Sequence, residues 1–215
     1  MFLATGPKGL ARTELAEGYV EYVAAGFDVR CIATDPHAAQ DVYAGTQGDG
    51  VLRSDDAGRT WRRSGLEGRV VKTLVMSELI PRRLYAGTKP ACIFVSDDAG
   101  GSWRELTGFR HIFSRRFWFS PAERPFKAYV SGLALSPDDP DLIVAGIEAG
   151  AVVRSTDGGN SWQDHRRGAL RDCHQLAAHA TRHGRFYEGG YGGGAYSTDA
   201  GATWQRPSGL DRRYG

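Results

Sequence analysis

An all-β fold assembled from repeated four-stranded units is what this 215-residue sequence predicts. Three observations carry that prediction. One short phrase occurs four times: SDDAGRTW from Ser54, SDDAGGSW from Ser96, STDGGNSW from Ser155 and STDAGATW from Ser197. Each reads Ser-x-Asp-x-Gly-x-(Ser/Thr)-Trp, and self-similarity at a fixed period marks a repeat architecture. Short runs rich in β-branched and aromatic residues, bounded by Gly, Pro, Asn and Asp, recur at matching places around every copy, which favours strands. No segment offers a sustained helical period with caps.

Taken in order, each unit begins with an apolar run: Cys31-Ile32-Ala33, Leu74-Val75-Met76, Leu133-Ala134-Leu135 and Leu176-Ala177-Ala178. A turn follows, marked by Pro36, Pro81, Pro137 with Pro140, and finally His183-Gly184. The second run is VYAGT from Val42, LYAGT from Leu84, IVAGI from Ile143 and FYEGG from Phe186. A third run (Val51-Leu52, Phe94-Val95, Val152-Val153, Ala195-Tyr196) leads into the repeated phrase, and a fourth strand starts at its Trp. Four-stranded antiparallel units of roughly 40 to 45 residues in series read as β-propeller blades. The blades are expected at about 28–67, 68–106, 129–167 and 172–207, in a single domain over 1–215. The first and last pairs of phrases start 42 residues apart and the middle pair 59, so about 17 residues are inserted there, within a loop at 107–128. Residues 1–27 read as a partial blade: Phe2–Gly6 and Gly9–Thr13 as second and third strands, a degenerate phrase, then Tyr19–Ala25 as the fourth. Gly209–Gly215 stops where another first strand should begin, so the expectation is a truncated chain forming an open arc with an exposed sheet edge.

The repeated phrase has a mechanical reading. Its Asp can accept backbone N–H groups a few residues on, its Gly supplies a conformation other residues resist, and its Trp anchors the hairpin. It resembles the Asp box, or BNR repeat, of sialidases, sortilin-type receptors, xyloglucan-cleaving hydrolases and a photosystem II assembly factor, over residues 28–207. The resemblance implies a propeller whose boxes lie on outer turns, away from any active site. Asp56, Asp98, Asp157 and Asp199, with Trp61, Trp103, Trp162 and Trp204, are accordingly expected to be structural. The sialidase pattern carries Arg-Ile-Pro in its first blade, whereas this chain has Ile80-Pro81-Arg82 at an inter-strand turn. The xyloglucan-cleaving pattern needs two large tandem propellers with paired aspartates, more than 215 residues hold.

Composition narrows the function classes. A net charge of +2 does not point to nucleic acid or a membrane surface. Cys31, Cys92 and Cys173 are odd in number and lie in or beside expected strands, which argues against a disulfide-stapled framework. MFLATGPKGLART has neither a basic start nor a long apolar core, and no stretch approaches the roughly 18 apolar residues of a spanning helix. A cytoplasmic protein without a cofactor is expected.

Function should sit where propeller loops gather around the channel, between strands two and three and between consecutive units. The strand two-to-three turns place Gln47, Lys89, Glu148 and Tyr191 at equivalent positions, with Asp49 and Glu188 nearby. The loops between units add His165, Arg166, Arg167, Arg171, Asp172 and His174. The insertion packs seven aromatics between Phe109 and Tyr129, interleaved with Arg110, Arg115, Arg116, Arg124 and Lys127. Rings give contact area and guanidinium forks grip anions, the composition of a binding surface; the equal alternative is a local mini-core of the aromatics under a long loop, with solvated arginines. At least one ring is expected to be exposed. Arg115, Arg116, Trp118, Arg171, His174 and Tyr191 are the expected ligand-binding residues. Glu148, Asp172 and Glu188 are the candidate catalytic carboxylates for glycoside hydrolysis. The opposing reading of Glu148 is a structural ion pair with Arg171. Asp172, Cys173 and His174 suggest a metal site or a thiol nucleophile, but adjacent strand residues point to opposite faces and no second Cys or His lies at ligand spacing, so neither is the expected reading. The leading expectation is a non-catalytic binding or assembly scaffold for a protein, peptide or carbohydrate ligand. The alternative is a glycoside hydrolase.

Overall fold

The repeated runs do fold as antiparallel sheets. The computed structural model describes residues 1–14 and 18–207. These divide into two compact units, one of Met1–Thr88 with Phe94–Arg104, the other of Lys89–Ile93 with the chain from Glu105 onward. The first unit opens with a meander of β1 (Phe2–Gly6), β2 (Gly9–Thr13) and β3 (Val20–Val23). A four-stranded sheet follows, in the order β4 (Val29–Asp35), β5 (Ala38–Thr46), β6 (Val51–Ser54) and β7 (Arg62–Arg63). The next is β8 (Val70–Met76), β9 (Leu84–Lys89), β10 (Ile93–Ser96) and β11 (Arg104–Glu105). The second unit holds β12 (Val130–Leu135), β13 (Ile143–Ile147) and β14 (Val152–Ser155), then β15 (Cys173–Ala178), β16 (Phe186–Gly190) and β17 (Gly193–Ser197). The fold is a β-propeller of antiparallel blades.

Second strands carry the core. β9 and β13 are buried along their whole length, as strands covered on both faces must be. In the first unit Leu10, Val29, Ala44 and Leu52 cluster with Phe27, Ile32 and Trp61 around them. In the second, Leu142, Val144, Val152, Cys173, Phe186 and Trp204 form one buried group.

Each box closes on itself. Asp157 Oδ1 accepts the Ser155 hydroxyl at 2.8 Å and the Ser161 N–H at 2.9 Å, while the Ser161 hydroxyl donates to Oδ2 at 2.5 Å. Ser155 Oγ in turn accepts the Gly159 N–H at 2.8 Å. The same set recurs around Asp56, Asp98 and Asp199. Two consecutive left-handed residues make the turn, for example Gly158 (φ 68°) and Gly159 (φ 90°). These bonds hold the carboxyls below the usual carboxylate range, Asp98 at about 2, chiefly through the Ser102 N–H and the Ser96 and Ser102 hydroxyls.

The sheets differ from expectation in four respects. A fourth strand pairs in the second and third sheets, but in the last two it shrinks to single bridges, Arg154 with Gln163 and Tyr196 with Gln205. Trp61, Trp162 and Trp204 donate their indole N–H to the carbonyl of their own box Gly, whereas Trp103 donates to Ser64 O at 2.7 Å in the preceding blade. Arg12, Arg53 and Arg154, each just before a third-strand Thr or Ser, reach across to the box carbonyls of Ala57, Ala99 and Ala200. The insertion contains two short 3₁₀ turns, Thr107–His111 and Phe113–Phe117, too brief to leave a helical period. The degenerate phrase before Tyr19 falls on residues 15–17, and Gly209–Gly215 follows residue 207, so both expectations lie outside the described residues. Among the described residues no helix is long and apolar enough to cross a membrane.

Candidate functional site

The insertion is fastened to the second unit at several points. Gly108 lies so close to Asn160 that a Cβ would stand 2.0 Å from its carbonyl oxygen, so only glycine fits there. That contact lets Phe109, fully buried, meet the box residue Trp162 edge-on with ring centroids 5.3 Å apart. The Ser114 N–H donates to Asp164 Oδ2 at 2.9 Å and its hydroxyl donates to Oδ1. Ser120 then donates its hydroxyl to Glu148 Oε1 at 2.9 Å.

Between these fastenings Trp118 is held on several sides. Its indole N–H donates to Ser114 Oγ at 3.0 Å, and its ring lies 5.7 Å from Phe109. A Cβ on Gly150 would stand 3.1 Å from the indole. Arg115 stacks on Phe109 at 5.2 Å and points one nitrogen at the Cys92 sulfur, 3.8 Å away. Arg110 grips both oxygens of Glu105, and buried Lys89 donates to the Glu123 carbonyl at 2.8 Å. Four rings stay in solvent: Phe113, Phe117, Phe119 and Phe126 are each more than half exposed. The Arg116 guanidinium lies 3.5 Å over Phe113 and 5.4 Å from Phe117.

A cavity of about 280 Å³ opens between this loop and the blades. Its walls are Ser114, Phe117 and Trp118 from the insertion, Ala149 and Gly150 from the turn after β13, and Arg171 and Asp172 before β15. Ala149 is left-handed (φ 46°), and its N–H donates to Asp172 Oδ1 at 3.0 Å, tying the last two segments together. The same oxygen lies 3.3 Å from His174 Nε2. Arg171 is exposed and, among the described residues, makes no hydrogen bond or ion pair. Nearby His165 accepts the Val152 N–H on Nδ1 at 3.2 Å. Burial, and then the Arg171 charge, push its pKa down.

Of the residues expected from sequence, Trp118, Arg171 and Asp172 therefore share one cavity, with His174 attached to Asp172. Tyr191 is exposed, and its N–H donates to the Asp172 carbonyl at 3.1 Å. Arg116 lies on the exposed rings rather than in the cavity wall. Glu148 is buried, and its carboxylate partner is Ser120 instead of Arg171 or Arg116. Glu188 does not line the cavity either. It is buried inside β16, where burial raises its carboxyl to about 7. Among the described residues no group of three or more His, Cys, Asp or Glu side chains gathers as a metal site. The three cysteines are free thiols, Cys173 fully buried. Sequence reasoning missed Ser114, Ser120 and Asp164, which position the loop. Their contacts span 28 and 50 residues, and no local pattern encodes such distances.

Comparison with known proteins adds the following. The BNR/Asp-box repeat matches residues 195–206, the fourth box and its flanks. No curated protein matches the sequence. Among solved structures, a GH74 xyloglucanase from Xanthomonas campestris superposes with a TM-score of 0.73 at 18% identity, over 99% of this chain and 36% of that one. An ancestral GH74 enzyme gives 0.66 at 20% identity, over 85% of this chain and 24% of that one. YCF48 bound to a D1 peptide gives 0.64 at 16% identity, over 99% of this chain and 64% of that one. The chain thus spans between about a quarter and two thirds of the length of these structures. At such identities the likeness establishes the propeller fold alone.

Proposed function

We propose that this chain is a binding or assembly scaffold whose ligand face is the insertion together with the cavity beside Trp118. The observation that carries this reading is the make-up of the wall: two aromatic rings, an unpartnered guanidinium and a single carboxylate. Such a wall suits a ligand with apolar surface and an anionic or hydrogen-bonding group. The exposed Phe113–Arg116–Phe117 stack extends the apolar surface beyond the cavity. A peptide is the favoured ligand class, since YCF48, which has a similar fold, is known bound to a peptide.

Hydrolysis of a glycoside needs two carboxyl groups facing the scissile bond. Here Asp172 is the one carboxylate in the cavity wall, Glu148 is committed to Ser120, and Glu188 is enclosed in its blade. The hydrolase alternative therefore has less support than binding. A cytoplasmic location belongs to the same proposal and is supported by the three free thiols. Alkylation of freshly released protein would test it, three reactive sites under denaturant being the expected result.

The deciding experiment is a peptide and glycan binding screen on wild type and Trp118→Ala. Ligands retained by wild type and lost by the variant support the reading. Identical profiles, or turnover of a glycan, overturn it.

A further inference from the structure

The second strands of the four blades align residue for residue, and one position breaks the pattern. Ala44, Ala86 and Ala145 occupy it in three blades, all fully buried, and Glu188 occupies it in the last. A carboxylate has replaced a methyl group at a site 5% exposed. In β16 it is paired with Leu176 of β15 on one side and Ala195 of β17 on the other. Burying a carboxylate costs stability unless its interactions compensate, so a core does not gain from it by packing.

Its one strong interaction points to the cavity. Oε1 accepts the Leu170 N–H at 2.7 Å, while Oε2 is buried without a hydrogen-bond partner. Leu170 is itself 1% exposed and directly precedes Arg171 and Asp172, which form one edge of the cavity. That edge is packed tightly from the other side as well. A Cβ on Gly190 would stand 1.9 Å from the Asp172 carbonyl, which also accepts the Tyr191 N–H. Two residues of β16 and its turn thus hold the carbonyl of Asp172, and Glu188 holds the amide two residues earlier.

We infer that Glu188 is a positioning residue for the cavity: through the Leu170 N–H it fixes the segment carrying Arg171 and Asp172, and its protonation decides how firmly that segment is held. This inference rests on the binding reading of the cavity given above. An ionised acceptor makes a hydrogen bond roughly twice as strong as a neutral one. The carboxylate form therefore holds the segment more tightly than the acid form. Burial opposes that form and raises the carboxyl to about 7, against the Leu170 N–H, the Arg206 charge and the Cys173 thiol, which all favour ionisation. These are the groups that face it: Cys173 from β15, the backbone of the 168–172 segment, and Arg206 beyond the last box. From β17 its register partner is Ala195, which does not titrate. The segment should consequently be tighter at pH 8 than at pH 6.

Amide and carboxyl NMR titration of the free wild-type protein between pH 5 and 9 tests the inference without any ligand. The Glu188 carboxyl should titrate near neutral pH, with the Leu170, Arg171 and Asp172 amides following the same midpoint. Leu170 amide exchange, compared under matched intrinsic rates, should be slower at the high-pH end. In Glu188→Gln all three amide titrations should vanish, while Glu188→Asp, one methylene short of the amide, should weaken Leu170 protection. A Glu188 carboxyl that titrates below pH 5 would overturn the inference. So would movement at Leu170 that Arg171 and Asp172 do not share, which would make the bond purely structural. If Glu188→Gln fails to fold, the wild-type carboxyl and amide midpoints still decide. Because no ligand enters the titration, its failure is distinct from failure of the binding screen. For a peptide selected by that screen, affinity should rise several-fold from pH 6 to pH 8 in wild type and stay flat in Glu188→Gln. An unchanged pH profile in the variant would assign that dependence to another group and remove Glu188 from it.

Discussion

The box turn at Ser155–Trp162 and the insertion at 107–128 touch through Phe109 and Trp162, yet they spend their polar groups in opposite ways. In the box, both Asp157 oxygens and the Ser155 hydroxyl are used within eight residues. In the insertion, the hydrogen bonds that fasten Ser114 and Ser120 go to residues far along the chain, and four phenylalanines and Arg116 are left facing solvent. A turn that satisfies itself can be copied into every blade. A loop that depends on Asp164 and Glu148 can exist only once. Self-sufficiency marks the scaffold, and its absence singles out the insertion, the proposed ligand face.

The largest expected effect separates the two regions by stability. Trp204, 5% exposed in the core of the last blade, should cost about 3 to 5 kcal/mol on truncation to Ala. Chemical denaturation would measure it. A loss below about 1 kcal/mol would mean that the box tryptophan is not a core residue.

Acid should weaken the boxes. Their four carboxyls are held down by hydroxyl and N–H donors, Asp98 to about 2. Unfolded aspartates titrate near 3.9, so the boxes contribute their full stability above about pH 4. The contribution is lost as pH falls through the folded values. Melting temperature should accordingly drop steeply below pH 4, and Asp98→Asn should flatten part of that drop. An acid-insensitive melting curve would break the contrast.

Much of this contrast was legible in the sequence, for a physical reason. A box is a local hydrogen-bond circuit, so its Ser, Asp, Gly and Trp must recur at fixed spacing, and the blades follow from that period. The loss of paired fourth strands after Trp162 and Trp204 left no such signal, because a bridge and a short strand look alike in composition. The tethering arginines did leave one: Arg12-Thr13, Arg53-Ser54 and Arg154-Ser155 repeat an Arg at the same place. Glu188 also stood out, as the single charge where three blades carry Ala, yet it reads as catalytic until burial is known. Topology alone put Arg171 and Asp172 in a loop between units; that this loop lines a cavity with Trp118 left no signal. Ser120 could not be anticipated, since its pairing with Glu148 depends on how the insertion folds back.

A smaller stability effect is expected at the insertion. Trp118 is half-buried, and its truncation removes contacts with Phe109 and Ser114, about 1 to 2 kcal/mol by the area it covers. Affinity for a ligand found by screening should fall tenfold or more, about 1.4 kcal/mol. A stability loss as large as that of Trp204→Ala, with affinity intact, would make the insertion another piece of scaffold.

The smallest effect sharpens the comparison most. Arg116 lies on two rings that are each 68% exposed, and its one hydrogen bond is to the carbonyl of Phe113. Surface substitutions of this kind change stability by no more than about 0.5 kcal/mol. A cation over a ring at an exposed site contributes at most about 1 kcal/mol. Arg116→Ala should therefore leave the melting temperature nearly unchanged. If the stack belongs to the ligand face, the same variant should still weaken binding by several-fold, with a shallower salt dependence because one charge has gone. Stability and affinity would then have come apart at a residue outside the cavity wall, which extends the face from Trp118 out over Phe113 and Phe117. Affinity and salt dependence both equal to wild type would confine recognition to the cavity, and the four exposed phenylalanines would need another explanation.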